Sequence, residues 1–598
     1  MDYKFSVAYQ QMLSDLDNQK NIQDLYMYVK VITTYSDNEL YKQDTDFLKL
    51  SKYEVDALSL HPQIYSFKKE GERRLNPCID NFSKDQLDYY LKRFKSSTNL
   101  QLTCLYGDIL LDYKGPIKIE KKFAIFEALV SKLLQLGDST NGDYSIINRV
   151  SIQSLSGALG LSLLFKNDTY IKSCVGHIYN AMETLSRKEQ YDGFLLSIFK
   201  MLLVLYKKGY VDEEHSKNII KELEVATKWC FENRKFLIYH SFCNNLIEWK
   251  ISINPKDASI RDLYLEQGKA YEIEADFQQG RSDKSEFVKA GFLEDALKNY
   301  TMIGESLKIN ELKLKIREAY KKAEQTECAS FSQTISIPKE RVANYSKIYE
   351  DCDDLDTGLR IIGNDPLLKI DVKKLKEETS AELKKNSLLL FMPASGIYDG
   401  RKVAQTTTPE ENTQVYFEQS FILNLSIRMN IYLKNFFSIL NDKGMTVNNF
   451  INLYKKWDFY NADREIILKE GFQSFLDGKY ISALHILVPQ FEGCLRDMLQ
   501  SIGIATISIK SNETQQEKSL GELVLRSDIR KALGEDFAQY IYITMASQNG
   551  WNLRNNIAHG LVSVGDCDEI HTLAVFHMFM RLLNFKIKND CYVEDNKR

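Results

Sequence analysis

Apolar residues recur at three- and four-residue spacing through much of the first half of the chain, in segments 87–94, 123–136, 170–185, 194–208 and 219–231. That period lines one face of an α-helix, so residues 1–326 are expected to form successive helices with short breaks. Between 327 and 409 Ser, Thr, Lys and Asp become commoner, and Pro338, Pro366, Pro393 and Pro409 interrupt the pattern. This stretch reads as a linker or connector, with a strand and loop as an alternative near Phe391 to Gly400. Helical spacing returns in bridging segments over 410–460 and continues through 461–598. There residues 480–502 are the expected central helix, with Leu484, Leu487, Val488, Phe491, Leu495, Met498 and Leu499 as its apolar stripe. Pro489 lies inside it and removes a hydrogen bond, so a kink or the meeting of two helices is expected there. The expected fold is all-α: an irregular or solenoid-like helical N-terminal region, then a C-terminal helical bundle.

Segments 262–277, 292–303 and 310–323 carry a further pattern, with Leu265, Ala270, Ala275, Ala296, Leu297 and Tyr300 at alternating small and large positions. They resemble a paired-helix repeat of tetratricopeptide type, which implies a concave surface for a protein or ligand partner. No strict period recurs upstream, so an irregular helical domain stands beside the solenoid. At 598 residues the chain is too long for one core, and 44% hydrophobic with 27% charged residues exclude a disordered or fibrous chain. The first 13 residues contain one lysine and no long apolar run, which reads against a signal peptide. No apolar stretch is long enough to span a bilayer, so a cytoplasmic protein without a membrane partner is expected. The ten cysteines are scattered without a CxxC pair, which reads as reduced thiols, no metal site and no cofactor.

One string concentrates chemistry: Leu553-Arg554-Asn555-Asn556-Ile557-Ala558-His559-Gly560. A guanidinium stays charged and offers a fork of donors suited to a phosphate, while an imidazole titrates near neutrality and can move protons. Five residues apart on an ideal helix the two side chains differ by about 140° in direction, so a second copy of the motif is the expected complement. The Arg-x4-His spacing resembles that of the HEPN superfamily of small helical domains. Together with Val488-Pro489-Gln490-Phe491-Glu492 and Lys518-Ser519-Leu520-Gly521, the longer string is similar to a bacterial branch whose HEPN-like domain follows a long helical N-terminal region. The resemblance covers the last quarter of the chain. It implies a HEPN-like bundle over 461–598 that dimerises with two motifs facing each other. In active members it implies metal-independent RNA cleavage, of prokaryotic defence or toxin type, with Arg554, Asn555 and His559 as site residues.

The chemistry fits those residue types. RNA carries its own nucleophile, the 2′-hydroxyl, so cleavage needs a proton carrier, charge stabilisation and in-line geometry. His559 would move the proton, Arg554 would stabilise charge on the phosphate, and Asn555 would hold the backbone or a phosphate oxygen. Glu492 and Arg496 are supporting candidates. Four apart on one helix face, they either orient a motif residue or form a surface ion pair. Asn556 supports the motif or caps it. In the architectural alternative, Arg554 bonds helix-end carbonyls and His559 is a buried ring fixing the turn before Gly560. His485 reads as a core histidine, 506–519 as an exposed polar loop, and Asp566 with Glu569 as the capping box of the last helix.

The acidic run Asp351 to Asp356 lacks the oxygen ligand and glycine of a calcium loop and reads as a solvated face. No phosphate loop, dinucleotide fingerprint, HExxH or GxSxG is present. Residues 461–598 hold 15 Lys plus Arg against 18 Asp plus Glu, so RNA binding would need a local groove. The expected function is a metal-independent endoribonuclease acting as a homodimer on RNA. The alternative is a non-catalytic RNA- or nucleotide-binding and dimerisation module whose helical region recruits a protein.

Overall fold

The computed structural model of the chain describes residues 7–19, 25–36, 45–64, 77–138, 144–189, 191–278, 285–328, 337–392, 394–511 and 513–587. The first six residues, Pro393 and the last of the ten cysteines, Cys591, lie outside the described residues. The described chain is predominantly helical, and its strands amount to two short antiparallel hairpins, so the fold is all-α. No described helix is long and apolar enough to cross a membrane. The chain divides into two compact units, Met1–Lys284 with Val288–Leu314, and Ser285–Phe287 with Lys315–Arg598.

In the first unit, helices pack mainly on their neighbours in sequence. Their starts are set by short polar side chains: Ser83, Asn99, Asn167, Asp192 and Asp212 each accept a first-turn backbone N–H. The segments 262–277, 292–303 and 310–323 fall within the helices Ser259–Gln278, Glu286–Met302 and Ser306–Thr326. Ala270, Ala275, Ala296 and Tyr300 are buried, and the Tyr300 hydroxyl donates to Glu272 at 2.7 Å. A buried carboxylate, Glu54, is neutralised in place. Arg93 Nε donates to it at 3.0 Å, Tyr106 at 2.5 Å, and the other arm of Arg93 reaches Asp17 at 2.9 Å. Arg93 thus bridges Glu54 and Asp17, which leaves no buried charge without a partner there.

The second unit begins well before residue 461. The stretch read as a connector, 327–409, forms the helices Lys339–Glu350, Leu355–Asn364 and Val372–Lys385, and Tyr349, Leu359, Ile362, Leu368 and Leu375 from it join the same core as the C-terminal helices. Its polar residues are helix starts: Asp354 caps Leu355–Asn364, and Asp371 caps Val372–Lys385. Ser395–Tyr398 then pairs with Arg401–Gln405 across a turn in which Asp399 and Gly400 both take positive φ. The 410–460 helices likewise contribute to this core, through Phe417, Phe421, Phe436 and Phe450.

Tyr480–Ser501 is one continuous helix running through Pro489, so the two-helix alternative does not hold. Pro489 faces solvent, where the carbonyl it leaves unpaired can be hydrated. All seven residues of the expected stripe are buried. His485 is exposed and not a core residue, its Nδ1 bonded to the Ile481 carbonyl at 2.8 Å, because it lies on the Pro489 face. The last helix, Glu569–Leu582, is capped by Asp568, which accepts from the His571 amide at 2.8 Å. Asp566 is used elsewhere: it closes a capping box with Ser563 and accepts the Tyr398 hydroxyl at 2.5 Å.

Candidate active site

The motif is reached through a tight turn. Glu535–Met545 is followed closely by Ser547, whose hydroxyl bonds the buried carboxylate of Glu418, and the chain reverses through Gly550. A Cβ at Gly550 would stand 2.0 Å from the Ile543 carbonyl oxygen, so only glycine fits this approach. Asn552 precedes the motif helix, Leu553–Ala558, in the left-handed conformation that Asn tolerates best after Gly. Leu553 anchors the helix in the core, and Trp551 lies against His571, ring centroids 4.2 Å apart. The helix ends in a Schellman motif: Gly560 has φ 64°, the Gly560 amide donates to Ile557 at 3.1 Å, and the Leu561 amide donates to Asn556 at 2.7 Å.

This frame sends Arg554 and His559 from opposite ends of a six-residue helix. Arg554 Nε donates to Glu492 Oε2 at 2.7 Å, and its Nη1 donates to Asn555 Oδ1 at 3.2 Å. Its Nη2 has no protein partner among the described residues. His559 is the C-cap, with an exposed side chain that makes no hydrogen bond to any described residue. The architectural alternative required Arg554 on helix-end carbonyls and His559 buried, and the structure has neither.

Glu492 stands between two guanidiniums. Its second oxygen accepts from Arg496 Nη2, so the i,i+4 ion pair and the contact that orients Arg554 coexist. Arg496 is held in turn by the Lys518 carbonyl at 2.6 Å and by Glu517 Oε2 at 2.7 Å. Glu517 lies on a hairpin, Ile507–Ile509 with Gln515–Glu517, where an exposed loop was expected. After the hairpin, Ser519 and Glu522 form a capping box at Leu520–Val524, and the Ser519 amide and hydroxyl hold the Glu522 carboxyl below its usual range.

These groups line a cleft of about 570 Å³: Glu492, Arg496 and Arg554 on one side, and Ser508, Gln516, Glu517, Lys518, Ser519 and Glu522 on the other. Three carboxylates balance three cations in this lining. His559 is not part of it. Of the predicted site residues, Arg554, Glu492 and Arg496 meet directly. Asn555 spends both ends of its amide inside the motif, accepting from Arg554 and donating to Asn552 Oδ1 at 2.7 Å, so it holds Arg554 and is not turned toward a ligand. Asn556 is buried and donates to the Trp551 carbonyl at 3.3 Å. Glu517 and Glu522 were missed. The Ser519-x-x-Glu522 spacing was legible as a capping box, whereas nothing local ties Glu517 to Arg496, 21 residues away.

Among the described residues, no group of three His, Cys, Asp or Glu side chains is placed to hold a metal ion. No protein-family model, curated protein or solved structure matches the chain.

Proposed function

We propose that the second unit is a HEPN-like endoribonuclease domain that cleaves RNA as a homodimer, with Arg554 and His559 as its catalytic pair. One observation carries the reading: on a single short helix, a guanidinium is locked by Glu492 with one edge left open to a cleft, while an imidazole stands exposed and unbonded. A motif that only built structure would saturate both. In the reaction, the 2′-hydroxyl attacks the adjacent phosphorus and the bond to the 5′-oxygen breaks, giving a 2′,3′-cyclic phosphate and a 5′-hydroxyl. His559 takes or returns the proton, and Arg554 neutralises charge growing on the non-bridging oxygens. Asn555 and Glu492 position Arg554, and Arg496 positions Glu492. The helices of the first unit serve as a surface for a protein or ligand that restrains or triggers cleavage.

The absence of His559 from the cleft that holds Arg554 favours one other reading, a non-catalytic module that binds RNA or a nucleotide and dimerises. The two are separated by His559→Ala in the full chain. Under the first, ribonuclease activity falls by about 10²-fold or more while folding and the dimer persist. No cleavage by the parent protein beside retained RNA binding gives the second, and cleavage unchanged in His559→Ala removes His559 from the catalytic pair.

A further inference from the structure

Arg496 lines the same cleft as Arg554, and both guanidiniums share the Glu492 carboxylate. Arg554 Nε donates to Oε2 at 2.7 Å, and Arg496 Nη2 donates to Oε1. Two cations on one carboxylate leave one positive charge over. Glu517 cancels it, its Oε2 accepting from Arg496 Nη1 at 2.7 Å.

The two acids on Arg496 are held in unlike ways. Glu492 is buried on the same helix as Arg496 and fixed by both arginines. The Glu517 side chain is 50% exposed, and its carboxylate makes no other hydrogen bond to a described residue. It extends from the end of the hairpin formed by Ile507–Ile509 and Gln515–Glu517, in which residues 515–517 are all exposed. The base of that hairpin is anchored. The Lys518 amide donates to the carbonyl of buried Thr506 at 2.9 Å, the Gln500 side chain donates to Thr506 Oγ1 at 3.0 Å, and the Lys518 carbonyl accepts from Arg496 Nη2 at 2.6 Å. Opening Nη1 therefore requires only that the Glu517 side chain swing into solvent, with the backbone left in place.

A half-exposed ion pair is weak, and a phosphate oxygen accepts the same charge-assisted bond from a guanidinium that a carboxylate does. The Arg496 side chain is itself only 13% exposed, so its charge needs an acceptor whether or not a ligand is present. Exchanging the carboxylate for a phosphate keeps that requirement met and leaves the charge on Arg496 balanced.

We propose that Arg496, besides positioning Glu492, is a second phosphate-binding residue of the cleft, and that Glu517 occupies it as a tethered competitor. The ligand is a phosphodiester of the same strand whose neighbouring phosphate Arg554 holds. The equal number of acids and cations in the lining is then the balance of the unliganded cleft, and the strand gains its place by displacing one carboxylate. The inference rests on reading the cleft as an RNA site.

Binding of a fluorescent 2′-O-methyl oligouridylate of about eight nucleotides to the full chain, followed by anisotropy at about 0.15 M salt, tests it. The methyl group removes the nucleophile, so affinity is read apart from cleavage. Glu517→Gln is expected to tighten binding by about 3-fold or more. Glu513→Gln takes the same charge from the same hairpin at a residue that makes no ion pair with Arg496. It is expected to change affinity by less than about 1.5-fold, because salt screens charge that is not in contact. In an Arg496→Gln background, Glu517→Gln is expected to give no gain. The first two variants are at exposed positions and remain readable if Arg496→Gln does not fold. Absence of a gain from Glu517→Gln, an equal gain from Glu513→Gln, or a gain that survives the loss of Arg496 overturns the proposal. A probe bound by neither the parent nor Glu517→Gln overturns it together with the RNA reading. Tightening by Glu517→Gln in a protein that does not cleave RNA supports the subsite and removes only the catalytic reading.

Discussion

Glu492 does work that two arginines depend on. It is only 8% exposed and satisfies both Arg554 and Arg496, so its removal leaves two guanidiniums facing each other with their shared carboxylate gone. Glu492→Ala is therefore expected to destabilise the protein by about 2 kcal/mol, the scale of a lost buried hydrogen-bonded charge discounted for the partial exposure of Arg554. His559→Ala, at an exposed position without bonds, should stay within about 0.5 kcal/mol of the parent. Urea unfolding of the two variants side by side measures the contrast, and equal losses would mean that Glu492 does not organise the site. At this scale the sequence was informative about residue types and poor on partners. Arg554, His559 and the pair Glu492 and Arg496 were all legible from spacing. The burial of Asn556 and the inward use of the Asn555 amide were not, because both follow from a left-handed residue at 552 that no periodicity reveals.

At the scale of elements, the motif helix is too short to hold itself, and its direction is fixed by the turn before it. Gly550→Ala forces a methyl group against the Ile543 carbonyl, a backbone atom that cannot step aside. The expected cost is about 1–3 kcal/mol, with activity falling further than stability alone explains, since the turn carries Asn552 and Arg554 with it. A melt and a cleavage assay on the same preparation check both parts; a variant as active and as stable as the parent would show that the turn does not set the motif. Long amphipathic helices such as Tyr480–Ser501 were readable because seven apolar positions repeat in register. The short helices between 339 and 391 were not. Two of them are capped by Asp354 and Asp371 and all are separated by proline or a polar turn, the same composition that marks a connector, and only tertiary contact shows that Tyr349 and Leu359 belong to the second core. The cap of the last helix was misplaced by two residues for a related reason, since Asp566 and Asp568 are both competent and tertiary demand from Tyr398 takes the first.

At the scale of the whole molecule, one copy holds only part of what the proposed reaction needs. A single chain offers one open arginine edge in a cleft of balanced charge, and one exposed imidazole that does not line that cleft. A two-fold axis would bring a second imidazole and a second guanidinium to the same phosphate without additional sequence. Specific activity per chain should then rise with protein concentration and level off once light scattering reports a dimer. The nucleophile is expected to come from the substrate, so an RNA with a single 2′-deoxy substitution at the scissile position should resist cleavage there while neighbouring positions are cut as before. A fully active monomer at micromolar concentration would remove the need for the second motif. Cutting at the deoxy position would mean that the attacking group is not the 2′-hydroxyl, and Arg554 and His559 would then have to serve a different reaction or only bind.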